Sequence, residues 1–490
     1  MKFKPKTTQN MSSDTLICFI YENKKRNSEL FCYLNKLSEN NLEKQIEYGA
    51  ISTKYGSIST YAVNKDIKAV IAGLGKFEEL TRKRYYSLVI SASKKARSIT
   101  KNKTIGLELI EHKDDTKEKS FNKEDAIEIA VNGASAGIYE FNKYLTNKKQ
   151  EIKTIEIIEE NITPSMNRRA EIGANSSMAA TFAKDLINDS AQTVTPEYIA
   201  NIAAKISKEY NLECNIFDKS KIKKLGMSAF LAVGQGSVNE PKFIHLVYKP
   251  KNPRKKVALI GKGITFDAGG MDIKPAQSML TMKSDMSGAA SVLGVIQAIS
   301  KLNSDVELHT ICALCENMTS GSAYKPGDVV TAMNGKTIEV ENTDAEGRIT
   351  LADALCYCDL LNTDEVIDIA TLTGAVIPAL GHTITAVLGN NQKQINNFIE
   401  VAKKSCETVW QMPILDEFKD NLKSEIADFK NTGGRAAGTG VAGWFLSNFT
   451  NSENWLHLDI AGTAYLESPK DSIQGATGVM IKSLINYILS

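Results

Sequence analysis

Three short segments of this sequence place acids beside glycines and lysines in a way that could hold divalent cations. In GKGITFDAGGMDIKP, the apolar run VALI leads into Lys262, then Asp267, the Gly269–Gly270 pair and Lys274. A glycine-rich loop with a lysine can cradle phosphate, but neither the GxxxxGK[ST] nor the GxGxxG spacing is present. Alone, this segment reads as a tight turn with a solvated lysine. In MKSDMSGAA, Asp285 directly precedes a helix whose first turn is Ser287, Gly288, Ala289 and Ala290. Alone, that acid reads first as a helix cap. The small residues after it let a helix end approach another backbone closely. In NTDAEGR, Asp344 and Glu346 are two apart, so on an extended segment both side chains face one way. Gly347 permits close backbone approach, and Arg348 opens the next helix.

Asp267, Asp285, Asp344 and Glu346 together supply four negative charges, which two divalent cations would neutralise. Hard oxygen ligands suit Zn²⁺, Mn²⁺ or Mg²⁺. The five histidines, His112, His245, His309, His382 and His457, form no HExxH or paired arrangement, so a histidine-rich zinc site is not expected. A Ser-His-Asp hydrolase is not expected either, because no GxSxG elbow is present.

These segments must be positioned by a fold. A chain of 490 residues is too long for one comfortable core, which argues for two domains. In the first third, TLICFIYE, IKAVIAGLG, KTIGLELIE and KTIEIIEEN read as strands, alternating with amphipathic helices such as EELTRKRYYSLVISASKKARS. This is a small α/β domain, residues 1–162, with no cluster of acids, histidines or cysteines that reads as a site. Residues 163–190 read as a long linker helix after a Thr-Pro start. Thr195 caps the next helix, with Pro196 in its first turn. Residues 191–490 then form a larger catalytic α/β domain. Its strands are KFIHLVYK, KVALIGKG, VELHTICAL, EVIDIATLTG and NWLHLDIAG, in a central mixed sheet flanked by helices. All three acidic segments follow such strands, where open α/β sheets bind ligands.

Composition narrows the class further. A net charge of +2 gives no field that argues for nucleic acid or membrane as the main partner. No apolar stretch reaches the ~20 residues of a membrane helix. The basic, polar start MKFKPKTTQNMSSD lacks the layout of a secretory signal and reads as a frayed tail before the first strand. Cys312 and Cys315 form a CxxC inside an apolar run, and Cys356 and Cys358 are two apart on a helix, where they cannot grip one ion. Buried reduced thiols and a cytoplasmic location follow.

GKGITFDAGG, MKSDMSGAA and above all NTDAEGR resemble the signatures of the leucyl aminopeptidase (cytosol aminopeptidase, M17) family. The similarity extends over most of residues 165–490, through TLTGAVIPALG, SEIADFKNTGGRAAGTG and HLDIAGTA, with GLGK at 73–76 as a weaker match. The resemblance implies a metal-dependent aminopeptidase with a pair of metal ions. Asp267 and Glu346 match the bridging carboxylates, and Asp344 matches a ligand of one ion. Lys262 and Asp285 match ligands of the other, with Lys262 ligating as a neutral amine whose pKa the site must depress. Lys274 and Arg348 match the two catalytic residues that are not ligands, Arg348 holding a bicarbonate. Met282, Thr371 and Gly374 match positions lining the pocket for the first side chain, although core packing accounts for Met282 equally well. The resemblance further implies short peptide substrates with N-terminal leucine or similar residues, and a homohexamer of two stacked trimers.

Two positions depart from the family's pattern. Asp272 adds an acid two residues before Lys274, and Ala268 stands where serine or threonine is common. A role as a DNA-binding architectural or regulatory protein is the alternative reading. It calls for a basic surface stripe, whereas lysines and acids are mixed in the first domain.

Overall fold

The computed structural model describes residues 2–8, 10–114, 120–148, 151–470 and 473–490. The chain divides into two α/β units: Met1–Met178 with Pro469–Ile473, and Ala179–Ser468 with Gln474–Ser490. The division falls within a single helix, Pro164–Asn188.

The first unit is built on strands β1 (Lys2–Lys6), β2 (Thr15–Tyr21), β3 (Ile58–Ala62), β4 (Lys68–Gly75), β5 (Thr104–Glu108) and β6 (Thr154–Ile158), in the order β1-β6-β5-β2-β4-β3. All neighbours are parallel except β3 and β4. Central strand β2, TLICFIY, is buried at six of its seven positions, as a parallel strand covered on both faces must be. The N-terminal segment read as a frayed tail is instead edge strand β1, paired with β6. Its sequence KFKPK leaves most side chains exposed, and lysines with a proline are what a protected sheet edge carries.

The second unit holds the acidic segments. Its strands are β7 (Glu213–Phe217), β8 (Lys242–Tyr248), β9 (Lys255–Asp267), β10 (Val306–Asn317), β11 (Val329–Thr331), β12 (Thr337–Glu339), β13 (Glu365–Ala370), β14 (Thr385–Gly389), β15 (Val409–Gln411), β16 (Phe429–Lys430) and β17 (Trp455–Asp459). Eight of them form a mixed sheet in the order β15-β14-β17-β13-β9-β10-β8-β7, and β11-β12-β16 form a small separate one.

Strand β9 is central, with β10 and β13 parallel on either side. The GKG read as a turn lies inside this strand: Gly261 pairs with Cys312 on one side and Ile369 on the other. Two helices pack on opposite faces of it. A Cβ at Gly261 would meet the Ala289 backbone at 2.5 Å, so the helix Ser287–Lys301 can press against β9 only because glycine stands there. The next side chain, Lys262, points to the other face and lies against Gly347 of the helix Gly347–Cys358.

The Gly347–Cys358 helix is anchored by its own buried acid. The Asp353 carboxylate accepts the backbone N–H of Phe230 at 2.8 Å and of Met333 at 2.7 Å. Burial pushes the carboxyl up to about 7, against the opposing pull of these donors. The folded state therefore holds this proton more tightly than the unfolded chain. Its contribution to stability is complete below about pH 4 and is lost as pH rises through the folded value. Thermal unfolding midpoints should fall between about pH 4 and pH 7, and Asp353→Asn should flatten that dependence. An unchanged slope in the variant would show that Asp353 does not carry it.

Candidate functional site

Strand β9 delivers Lys262 and Asp267, and the loop after it turns back to bring Lys274 over the same place. Gly269 and Gly270 make that reversal with φ of 89° and 68°, backbone conformations that favour glycine. The Asp267 Oδ1 accepts the Gly269 N–H and the Asn317 side-chain amide, both at 2.9 Å. The loop is closed by the Lys274 N–H donating to the Ala268 carbonyl at 3.0 Å.

The other two segments meet it there. The Lys262 ammonium lies 2.9 Å from each oxygen of Asp285, 2.8 Å from Glu346 Oε1 and 2.9 Å from the Thr371 carbonyl. The Lys274 ammonium lies 2.8 Å from Asp267 and 2.5 Å from Asp344. Two lysines thus sit among four carboxylates, all but Asp344 and Lys274 fully buried.

The structure also shows how these residues come together. Asp344 and Glu346 do not lie on an extended segment. They fall in a turn that runs straight into the Gly347–Cys358 helix, and Glu346 has helical backbone angles. Asp285 is not the expected helix cap, because the helix Ser287–Lys301 starts at Met286 without a side-chain cap. Instead its Oδ1 accepts the Thr371 hydroxyl at 2.7 Å as well as the Lys262 ammonium. Met282 opens a short 3₁₀ turn, Met282–Ser284, and Thr371 and Gly374 lie on the loop after β13. Gly374 is exposed, and a Cβ there would meet nothing within 4 Å.

Asp272 proves to be a latch between loops. Its carboxylate accepts the Thr343 N–H at 2.7 Å, and its own N–H donates to the Thr343 hydroxyl at 2.8 Å. That hydroxyl also reaches the Gly269 carbonyl at 2.6 Å. The segment bearing Asp267 and Lys274 is thereby tied to the segment bearing Asp344 and Glu346. Sequence reasoning passed over Thr343 and Asn317. An asparagine at a strand end reads as a turn residue, and only the β9–β10 register, which sets Asn317 opposite Asp267, gives it a partner.

Charge and burial compete throughout the site. Burial alone would lower the Lys262 ammonium, but Asp285, Glu346 and Asp267 outweigh it and hold Lys262 above the usual lysine range. Carboxylates alone favour the ammonium, whereas the depression expected of a ligating Lys262 depends on the added charge of adjacent cations. Lys274 is raised in the same way, by Asp267, Glu346 and Asp344 against its own burial. Glu346 is buried, yet Lys262 and Lys274 keep it below the ordinary carboxylate range. Burial and the neighbouring Glu346 push Asp267 up to about 6. Arg348 is pushed down to about 10 by burial, against the pull of Glu346 and Asp459, and its buried Nε has no hydrogen-bond partner.

The donor set fits divalent cations. Asp267, Asp344 and Glu346 each offer a carboxylate oxygen, and these atoms lie within 4.8 Å of one another. Among the described residues this is the one such group. The histidines lie elsewhere: His245 and His309, on neighbouring strands, bond each other at 2.9 Å, and His457 Nδ1 lies 2.5 Å from Asp368. Cys312, Cys315, Cys356 and Cys358 are buried.

Similarity to known proteins covers both units. The profile of the cytosol aminopeptidase family's catalytic domain matches residues 181–485, and that of its N-terminal domain matches residues 17–148. A probable cytosol aminopeptidase of Clostridium tetani is 40% identical over 96% of this chain and 95% of its own length. One from Sulfurihydrogenibium is 39% identical over 99% of this chain and 96% of its own. Among solved structures, a tomato leucine aminopeptidase mutant superposes with a TM-score of 0.88 at 32% identity, covering 100% of this chain and 96% of that one. The bottromycin maturation enzyme BotP in complex with Mn gives 0.85 at 27% identity, covering 97% and 99%. With both of its parts matched in this way, the chain belongs to the cytosol aminopeptidase family and is a peptidase.

Proposed function

We propose that the chain is a metal-dependent aminopeptidase that removes leucine and similar apolar residues from the N-termini of short peptides. The observation that carries this reading is the convergence of Asp267, Asp285, Asp344 and Glu346 on Lys262 and Lys274. Lys262, Asp267, Asp285, Asp344 and Glu346 would hold two divalent ions, Zn²⁺ or Mn²⁺, with Mg²⁺ as a third candidate. Such ions supply an acidified water and polarise the scissile carbonyl. Lys262 would then ligate as the neutral amine, since added cationic charge reverses the effect of the carboxylates on it.

The chain's own groups do the rest. Lys274, partly open to solvent, would donate to the oxyanion that develops on the carbonyl. Arg348, with an unpaired buried Nε, would hold a bicarbonate that relays the proton. Met282, Thr371 and Gly374 would line the pocket for the first side chain. The open space over Gly374 leaves room for an aliphatic group. An apolar pocket separates leucine from similar aliphatics only weakly. Residues 1–162 would serve assembly into a homohexamer, and the protein would act in the cytoplasm. No described helix is long and apolar enough to cross a membrane.

The purified protein supplied with Mn²⁺ or Zn²⁺ should release leucine from leucine amide, and chelation should abolish the release. Turnover that survives complete chelation would refute metal dependence. Failure to act on any unblocked N-terminal residue would refute the aminopeptidase reading.

A further inference from the structure

Asp459 ends β17 and is fully buried, but its environment differs from that of a paired acid. Its Oδ1 accepts the N–H groups of Leu372 and Ala461, each at 3.1 Å, and more distantly that of Thr373 at 3.5 Å. Its Oδ2 accepts the Thr373 hydroxyl at 2.5 Å. That hydroxyl oxygen is also 2.9 Å from the Thr439 hydroxyl, in the first turn of the helix Gly438–Ser447. No described lysine or arginine is within ion-pairing distance of Asp459. A buried carboxylate held mainly by neutral donors costs more than an apolar residue of the same size, so its retention calls for a task.

The task lies in what the donors belong to. Leu372 and Thr373 form the middle of the loop that joins β13 to the short helix Val376–Leu380. At the start of that loop, the Thr371 carbonyl accepts the Lys262 ammonium and the Thr371 hydroxyl donates to Asp285. At its end stands Gly374 with open space above it. Asp459 also acts on Arg348 through its charge, offsetting part of the effect of burial there. One carboxylate therefore fastens the loop whose first residue touches the acid–lysine cluster, and it lies close enough to Arg348 for its charge to be felt.

We infer that Asp459, acting through Thr373, is a positioning residue that sets the conformation of the 371–374 loop and thereby the preference for the first residue of the substrate. This rests on the aminopeptidase reading above. Asp459→Asn turns one acceptor into a donor facing Thr373. Thr373→Val removes the hydroxyl at nearly constant shape, and Thr373→Ser keeps it. The kcat/KM ratio for leucine amide over glycine amide should narrow at least about fivefold in Asp459→Asn and Thr373→Val, and Thr373→Ser should recover most of that loss.

The Mn²⁺-loaded proteins would be compared per folded molecule, and calorimetry would measure binding of free leucine against free glycine in each. A purely structural role would lower the folded fraction and leave the ratio of the surviving molecules unchanged. Ratios within about twofold of the parent in both Asp459→Asn and Thr373→Val, or equal losses in Thr373→Val and Thr373→Ser, would overturn the inference. If Asp459→Asn does not fold, the two Thr373 variants decide. If the parent cleaves neither amide, the aminopeptidase reading fails, and the leucine-over-glycine binding ratio still decides the role of Asp459.

Discussion

Asp344→Ala should lose at least about a thousandfold in kcat, roughly 4 kcal/mol of transition-state stabilisation, without losing the fold. Asp344 is the most exposed of the four acids, with a side chain about one-third open to solvent. Its carboxyl is raised by burial and by Glu346, against the pull of Lys274, so the ionised form is not at home there. Removing it leaves Lys274 paired to Asp267 at 2.8 Å and takes one negative charge out of a crowded cluster. The metal-free variant should therefore melt no lower than the parent, while activity disappears and at least one of two bound Mn²⁺ ions is lost. Calorimetric titration with Mn²⁺ and thermal melts of the same preparations would check both halves. A variant that kept the parent's rate would remove Asp344 from the reaction. A variant that lost activity only by unfolding would make it a structural residue.

A charge whose removal costs function but not stability marks a site selected for chemistry rather than for folding. The same logic explains which parts of this protein can be read from its sequence. Lys262, Asp267, Lys274 and Asp285 are legible only when the segments are taken together. Each of their segments alone reads as a turn or a helix cap, and it is the joint count of acids that points to cations. NTDAEGR adds two acids to that count, although they meet through a turn rather than along a strand. The α/β class was equally plain, since β2, β4, β9 and β10 are long apolar runs buried along almost their whole length.

What the sequence hides is set by pairing between distant segments. Edge strand β1 has no apolar pattern, and β14 is only five residues long. Asn317 and Thr343 act because register and loop closure put them beside Asp267 and Asp272. Asp459 sits in HLDIAG like any acid at a strand end, and its partners Leu372 and Thr373 are more than eighty residues away. Asp272 was visible as an oddity, but its latch on Thr343 was not.

Gly347→Ala tests how tightly the lysine and the helix are fitted together. By helix propensity alone, alanine at this first helical position should stabilise the protein by up to about 1 kcal/mol. The packing predicts the opposite sign. A Cβ at 347 would fall 2.4 Å from Lys262 Cε, 2.6 Å from its Nζ and 2.9 Å from its Cδ. A flexible lysine could ordinarily swing away, but this one is 3% exposed and held by Asp285, Glu346 and the Thr371 carbonyl. Expelling it would leave two buried carboxylates without their cation, which is dearer than shifting the helix. Shifting the helix moves Glu346 and Arg348 with it, because they flank Gly347 in sequence. Either response should destabilise the protein by about 1–3 kcal/mol and reduce kcat by at least about a hundredfold. Denaturant unfolding and a leucine amide assay on one preparation read both effects. A stabilised, active Gly347→Ala protein would mean that Lys262 has room to spare and that the helix start does not set its position.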